Sequence, residues 1–260
     1  MASRIVTARS PGGRLLTIEL TEGAVPTAER AEDIARHEGR DGYIVVSSGI
    51  PGGETVPAKR APDDLLSVSI LLRPSLPPAR VMMLPAIGAL ALCRAVRHHT
   101  ALLPSIRWVG EVYAGKERIA EATTRGALRP GGTGFTYVIV TLSLRITKDF
   151  TGRLTEVIKS VFSPRRESVP ERISETVINE FFAIYEAMTT TDSTAFLDEY
   201  RDLSLLRGKR IRVLRGGKPR RATVLGIDDN AGLVVALRRG GSMVLHSASE
   251  LYDPKKKRKH

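Results

Sequence analysis

The residues of this chain best suited to chemistry are cations, gathered on segments that read as β-structure. Arg107, Lys116 and Arg118 lie along one such stretch, and Arg207, Lys209, Arg210, Arg212, Arg215, Lys218, Arg220 and Arg221 crowd a second. Cations packed this closely can hold an acidic partner or a nucleic-acid backbone, and a solvated, ion-paired surface uses the same residues with no ligand at all. Lys116 and Arg118 are two residues apart, so on one strand they would share a face. Trp108, the single tryptophan, stands beside Arg107. It could fill a core or wall a ligand slot. Other chemistries lack their residues. The five histidines do not have metal-ligand spacing with Cys or carboxylates. Neither a Gly-x-x-x-x-Gly-Lys-Ser/Thr phosphate loop nor a Gly-x-Ser-x-Gly nucleophile elbow occurs.

The elements that must position these residues follow from hydrophobic period and turn chemistry. Residues 14–21 alternate as a strand, Thr27 can cap a helix over 28–37 with Gly39 as its stop, and 43–47 is a short apolar strand. A Gly/Pro-rich loop at 49–64 leads into a strand over 65–73. Pro77 and Pro78 end it, and a helix with a wide apolar face follows over 81–97. Residues 106–114 and 117–124 read as a hairpin around Gly115 and Lys116, with a second flexible loop at 131–134. Residues 135–146 form the clearest strand, with Tyr137, Ile139, Thr141, Ser143 and Arg145 on one face. Helices are expected at 170–188 and 193–200. Three runs of about five residues (210–214, 222–227, 233–237) then alternate with glycine turns, the pattern of a small curved barrel.

That last segment resembles the C-terminal domain of biotin protein ligases: Leu-Leu-x-Gly-Lys-x-Ile-x-Val, then Gly-Ile-Asp-x-x-Ala-Gly-Leu-Val-Val, then His-Ser. Upstream, LPAIGALALCRAVR resembles the family's central helix and LLSVSILLRP the strand after its adenylate loop. IRWVGEVYAGKERIA resembles its Trp-Pro-Asn-Asp hairpin, and INEFFAIYEAM with FLDEYRDLSLL resembles its path into the barrel. The resemblance implies an α+β fold: a mixed-sheet ligase-type domain with helices over 1–203, an SH3-like small β-barrel over 204–252, and a disordered basic tail over 253–260. No helix-turn-helix module is expected before residue 14.

It also implies a site, and the motifs of that site are altered. Such ligases make biotinyl-adenylate from biotin and ATP and pass the biotin to a carrier-protein lysine, which requires cations for phosphate and a lid over a reactive anhydride. The arginine-rich lid, Gly-Arg-Gly-Arg-Arg-Gly, becomes GIPGGETVPAKRAPDD, keeping Gly53, with Lys59 and Arg60 as partial replacements. Trp-Pro-Asn-Asp becomes Trp108-Val109-Gly110-Glu111, so Glu111 holds the carboxylate that would orient a ligand or metal. The family's lysine is Arg118, with Lys116 able to stand in only after a register shift. The following Gly is Glu121. The Gly-x-Gly-x-Asn strand is Thr141-Leu142-Ser143-Leu144-Arg145, and the Ser-Thr-Asn before the first helix is reduced to Thr27. Five altered motif regions on a kept frame, Arg118 and Glu121 sharing one, point to lost or redirected activity, a binding or regulatory relative. The alternatives are an active divergent biotin or lipoate ligase, with Arg118 and Lys116 at the phosphate, and a nucleic-acid binder. Biotin, ATP and a carrier protein would be partners only if activity persists, and a homodimer is left open.

Composition sets the frame. Net charge is +12, five charges of it from residues 255–259. The single cysteine, Cys93, suits a reducing compartment. The longest apolar stretch, 81–93, reads as a buried helix, shorter than the roughly 20 residues a bilayer needs, so a cytoplasmic protein without a membrane partner is expected. The chain has no Gln, two Asn and many Arg. That is a thermophile habit, which a GC-rich genome would also produce.

Overall fold

The computed structural model describes residues 3–21, 25–37, 39–48, 64–146, 169–238 and 240–252. The segment bearing Gly53, Lys59 and Arg60 lies outside them, as does the basic tail. Among these residues twelve strands form two sheets. The first has the order β1-β2-β3-β4-β8-β7-β6-β5. Its strands are β1 (Ser3–Arg9), β2 (Leu15–Thr21), β3 (Tyr43–Ser48), β4 (Asp64–Leu72), β5 (Pro104–Arg107), β6 (Glu111–Ala114), β7 (Glu117–Leu128) and β8 (Phe135–Ile146). Among the described strands β2 and β3 alone pair in parallel, and helix α1 (Thr27–Arg36) makes the crossover between them, as a parallel pair requires.

The pleat sorts side chains onto two faces. On one, Leu20, Val46, Val68, Leu142 and Ala122 are register neighbours across five strands. They meet α3 (Leu84–His99), which follows the single turn α2 (Pro78–Val81). Gly88 brings α3 close, since a Cβ there would sit 2.5 Å from Leu142 Cδ2 and 2.8 Å from Ala122 Cβ. Helices α4 (Val169–Thr191) and α5 (Phe196–Asp202) pack against α3 and close this layer. The segment Pro78–His99 has the length and hydropathy of a membrane span, yet 72% of its apolar window is buried in this core. Among the described residues the other face is covered only in part, by α1, whose Ala31 and Ala35 pack on Val45, Leu71, Tyr137 and Ile139.

His99, at the end of α3, places its Nε2 2.7 Å from Thr176 Oγ1 on α4. Burial, then the charges of His98 and Arg172, push its pKa down to about 4. The unfolded chain therefore binds this proton at a higher pH than the folded one does. Stability from this group is complete above about pH 6.5 and is lost as pH falls toward 4. We expect His99→Gln to lose less stability than the parent between pH 7 and pH 5, roughly the window this shift opens. Urea denaturation at the two pH values checks it, and parallel losses in both proteins would refute it.

The second sheet has the order β12-β11-β10-β9, from β9 (Arg210–Arg215), β10 (Lys218–Ile227), β11 (Leu233–Leu237) and β12 (Ser242–Leu245). A bridge between Val213 and Leu251, with the Tyr252 amide donating to Arg212 O at 2.9 Å, brings residues 251 and 252 back onto β9 and curls the sheet into a small barrel. Its core residues Val213, Val235 and Leu245 belong to the same apolar cluster as α3. The mixed α+β architecture with a C-terminal barrel matches the sequence expectation, while β1 and β12 were not foreseen.

The stretch 106–114, read as one strand, is two. It breaks at Trp108, Val109 and Gly110, where β6 turns back along β5. Thr27 is the first helical residue and not a cap: its hydroxyl turns to the sheet, 2.8 Å from Ser67 Oγ and Ser69 Oγ.

Candidate functional site

Beyond the edge of α1, the partly covered sheet face changes from apolar to polar. Register neighbours Thr21, Ser47, Ser67, Ser143, Glu121, Glu111 and Arg107 form one continuous row across seven strands. The next row toward α1 holds Ser69, Thr141 and Thr123. The following one, Leu71 and Ile139, is already core. A polar row inside a sheet needs hydrogen-bond partners, and here the hydroxyls serve one another. Thr27 Oγ1 contacts Ser67 Oγ and Ser69 Oγ at 2.8 Å each, and Ser69 Oγ lies 2.9 Å from Thr141 Oγ1. Ser69 and Thr27 are buried, whereas Ser67, Thr141 and Ser143 are half-exposed. The floor is therefore a hydroxyl ladder.

The cations stand at the far side of this floor, already paired. Arg118 Nη1 lies 3.2 Å from Glu111 Oε1 and 3.2 Å from Glu121 Oε2, and Arg107 Nη1 lies 3.3 Å from Glu111 Oε2. The Tyr113 hydroxyl donates to the same Glu111 carboxylate at 3.4 Å. Two guanidinium groups and two carboxylates make a neutral cluster, a weak magnet for a polyphosphate. Lys116 does not share the strand face with Arg118. It occupies the exposed turn between β6 and β7, and a register shift between Val112 and Tyr113 separates it further from the row. Arg145 is exposed at the end of β8. Among the described residues no group of His, Cys, Asp and Glu could hold a metal ion.

Trp108 is not a wall of this floor. Its side chain is 2% exposed and its indole N–H donates to Ala231 O in the barrel at 2.7 Å. Around it, the Tyr200 hydroxyl donates to Val109 O at 2.7 Å, and Arg201 reaches Ile227 O at 3.0 Å and Asp229 at 2.6 Å. The tryptophan thus joins the large sheet to the barrel. Ser67 and Ser69 were missed by the sequence reading, although Ser-x-Ser inside an otherwise apolar strand is a signal that two hydroxyls share a face.

A cavity of about 700 Å³ lies elsewhere, between the β1–β2 turn and α4. The Glu186 carboxylate at its edge is held by Ser10 Oγ and by the Gly12 amide at 2.7 Å, so it anchors the turn.

The fold has counterparts among solved structures. Biotin protein ligase from Aquifex aeolicus superposes with a TM-score of 0.65 at 15% identity, covering 90% of this chain and 96% of that one. The fold is that of biotin protein ligases. The same Aquifex enzyme in complex with biotin and ATP superposes with a TM-score of 0.64 at 15% identity, over 90% of this chain and 97% of that one. A biotin protein ligase-like protein of unknown function from Silicibacter sp. reaches 0.67 at 16% identity, over 95% of this chain and all of the other. No protein-family model and no curated relative matches the sequence. The biotin protein ligase fold is therefore formed here by a sequence that shares only 15–16% identity with those proteins.

Proposed function

We propose that this chain uses the biotin protein ligase fold for binding or regulation and does not form biotinyl-adenylate. The observation that carries the reading is the neutral cluster of Arg107, Glu111, Arg118 and Glu121. The arginine that would meet phosphate is engaged by two carboxylates. Adenylation stabilises charge that develops on phosphate, and that needs cations aimed at the oxygens and not spent on internal partners. Thr141 and Ser143, standing where the family has glycines, support the same reading. Their side chains occupy the floor, and Thr141 is tied into the hydroxyl ladder. A ligand that fits is small, close to neutral and rich in hydrogen-bonding groups, lying across β4, β8 and β7.

The alternative, an active divergent biotin or lipoate ligase, would set Arg118 or Lys116 at the phosphate, with Lys59 and Arg60 partly restoring the lid. One assay separates the two readings: pyrophosphate release from magnesium ATP with and without biotin or lipoate. No acid-dependent release is the expected result, and release that requires biotin or lipoate would overturn the proposal.

A further inference from the structure

The chain's positive charge is unevenly placed. Residues 1–203 hold 25 Lys and Arg against 24 Asp and Glu, whereas residues 204–252 hold ten against three. Pairing follows the same division. Among the described residues, at least ten arginines before residue 204 sit in ion pairs with carboxylates. No lysine or arginine among the described residues of the barrel does. The barrel's own carboxylates are committed elsewhere. Asp229 pairs with Arg201, Asp228 accepts from the Asn230 and Gly232 amides, and Glu250 accepts from the His246 and Ser247 amides.

The unpaired cations are not scattered. Arg212 on β9 is the register partner of Arg221 on β10, and the Arg238 amide, one residue past β11, donates to Arg221 O at 3.1 Å. Their neighbours in the ladder, Ile211, Ala222 and Leu237, face the barrel core, so the pleat turns all three arginines outward, where each is exposed. Arg210 follows two residues along β9 on the same face. Like charges directly opposite across strands destabilise a sheet. A row of three therefore works against the barrel unless an anion neutralises it. Steps of about 4.8 Å between strands and about 6.7 Å along a strand set these groups out as a grid. A chain of phosphodiesters meets several of them at once. The planar guanidinium fork suits phosphate oxygens, and eight of the ten barrel cations are arginine. Tyr252 lies beside the row, with the Arg212 guanidinium 6.0 Å from its ring centroid.

We propose that the outer face of β9, β10 and β11 binds the phosphate backbone of nucleic acid through Arg212, Arg221 and Arg238, without reading sequence. This site is distinct from the sheet-face site and stands whether or not adenylation occurs.

The test is fluorescence anisotropy of the full chain with labelled oligonucleotides of about 20 nucleotides, single-stranded and duplex, over a salt series. Affinity should fall linearly on a log–log plot, with a slope near −0.7 per contacted phosphate for the single strand and near −0.9 for the duplex. Arg221→Glu should weaken binding by about tenfold at low salt. It should melt no lower than the parent, because the new carboxylate lies between Arg212 and Arg238. A second variant, with the basic residues of 255–259 changed to alanine, separates the tail from the barrel. In that background Arg221→Glu should still weaken binding. The proposal is overturned by unchanged affinity in Arg221→Glu, by loss confined to the tail variant, or by binding to phosphatidylserine vesicles without binding to either oligonucleotide.

Discussion

Trp108→Ala should lose about 4 kcal/mol of stability, the usual scale for deleting a fully buried aromatic ring. For a chain of this size that lowers the melting temperature by roughly 10 °C. The ring lies at the joint between the large sheet and the barrel, inside the one apolar cluster that spans both, so its removal leaves a cavity that neither side can close alone. Trp108→Phe separates ring from donor. It keeps most of the packing and removes the N–H that meets Ala231 O at 2.7 Å, and a smaller loss of about 1–3 kcal/mol follows from leaving that carbonyl unmet. Urea denaturation followed by circular dichroism reads both. A loss below about 1 kcal/mol for the alanine variant would show that the tryptophan does not hold this joint.

Gly110→Ala is the second large effect, and its cause is crowding. A Cβ on Gly110 would lie 2.0 Å from Ala122 O, a backbone atom of β7 that cannot rotate away. The same contact carries a hydrogen bond, from the Ala122 amide to Gly110 O at 2.8 Å. The strands must part by more than an ångström, and a cost of about 3 kcal/mol is expected. Hydrogen exchange at the Ala122 amide should accelerate more than at amides of β9. Equal protection in variant and parent would contradict the packing argument. In the sequence, Gly110 stands where the resembled motif has asparagine. The structure gives it a reason of its own, since β6 can start beside β7 only where no side chain intervenes.

Much of the fold was legible because its periods are long or its turns distinctive. Strand β8 alternates over twelve residues and was delimited as it stands. The barrel was read from glycine turns, and Gly216, Gly217, Gly240 and Gly241 do adopt positive φ. Strand β1 was missed because it is an edge strand with no buried side chain, so its residues alternate without an apolar face to betray them. Strand β12 is four residues long and carries too little pattern.

The site was legible by residue type and not by partnership. Arg118, Glu111 and Glu121 were each singled out, but the bulge that lets Arg118 reach both carboxylates cannot be read from spacing. Lys116 shows the same limit from the other side. Spacing put it on the face of Arg118, and the turn at Gly115, with a φ of 60°, took it off the strand.

The most direct test of the account is native mass spectrometry of the full chain after incubation with biotin and magnesium ATP. A mixed anhydride that the protein had made and shielded would stay bound and add the mass of biotinyl-adenylate. The paired state of Arg118 predicts a spectrum of the protein without that adduct. A retained biotinyl-adenylate would contradict the central claim and show that this rewritten sheet face still activates biotin.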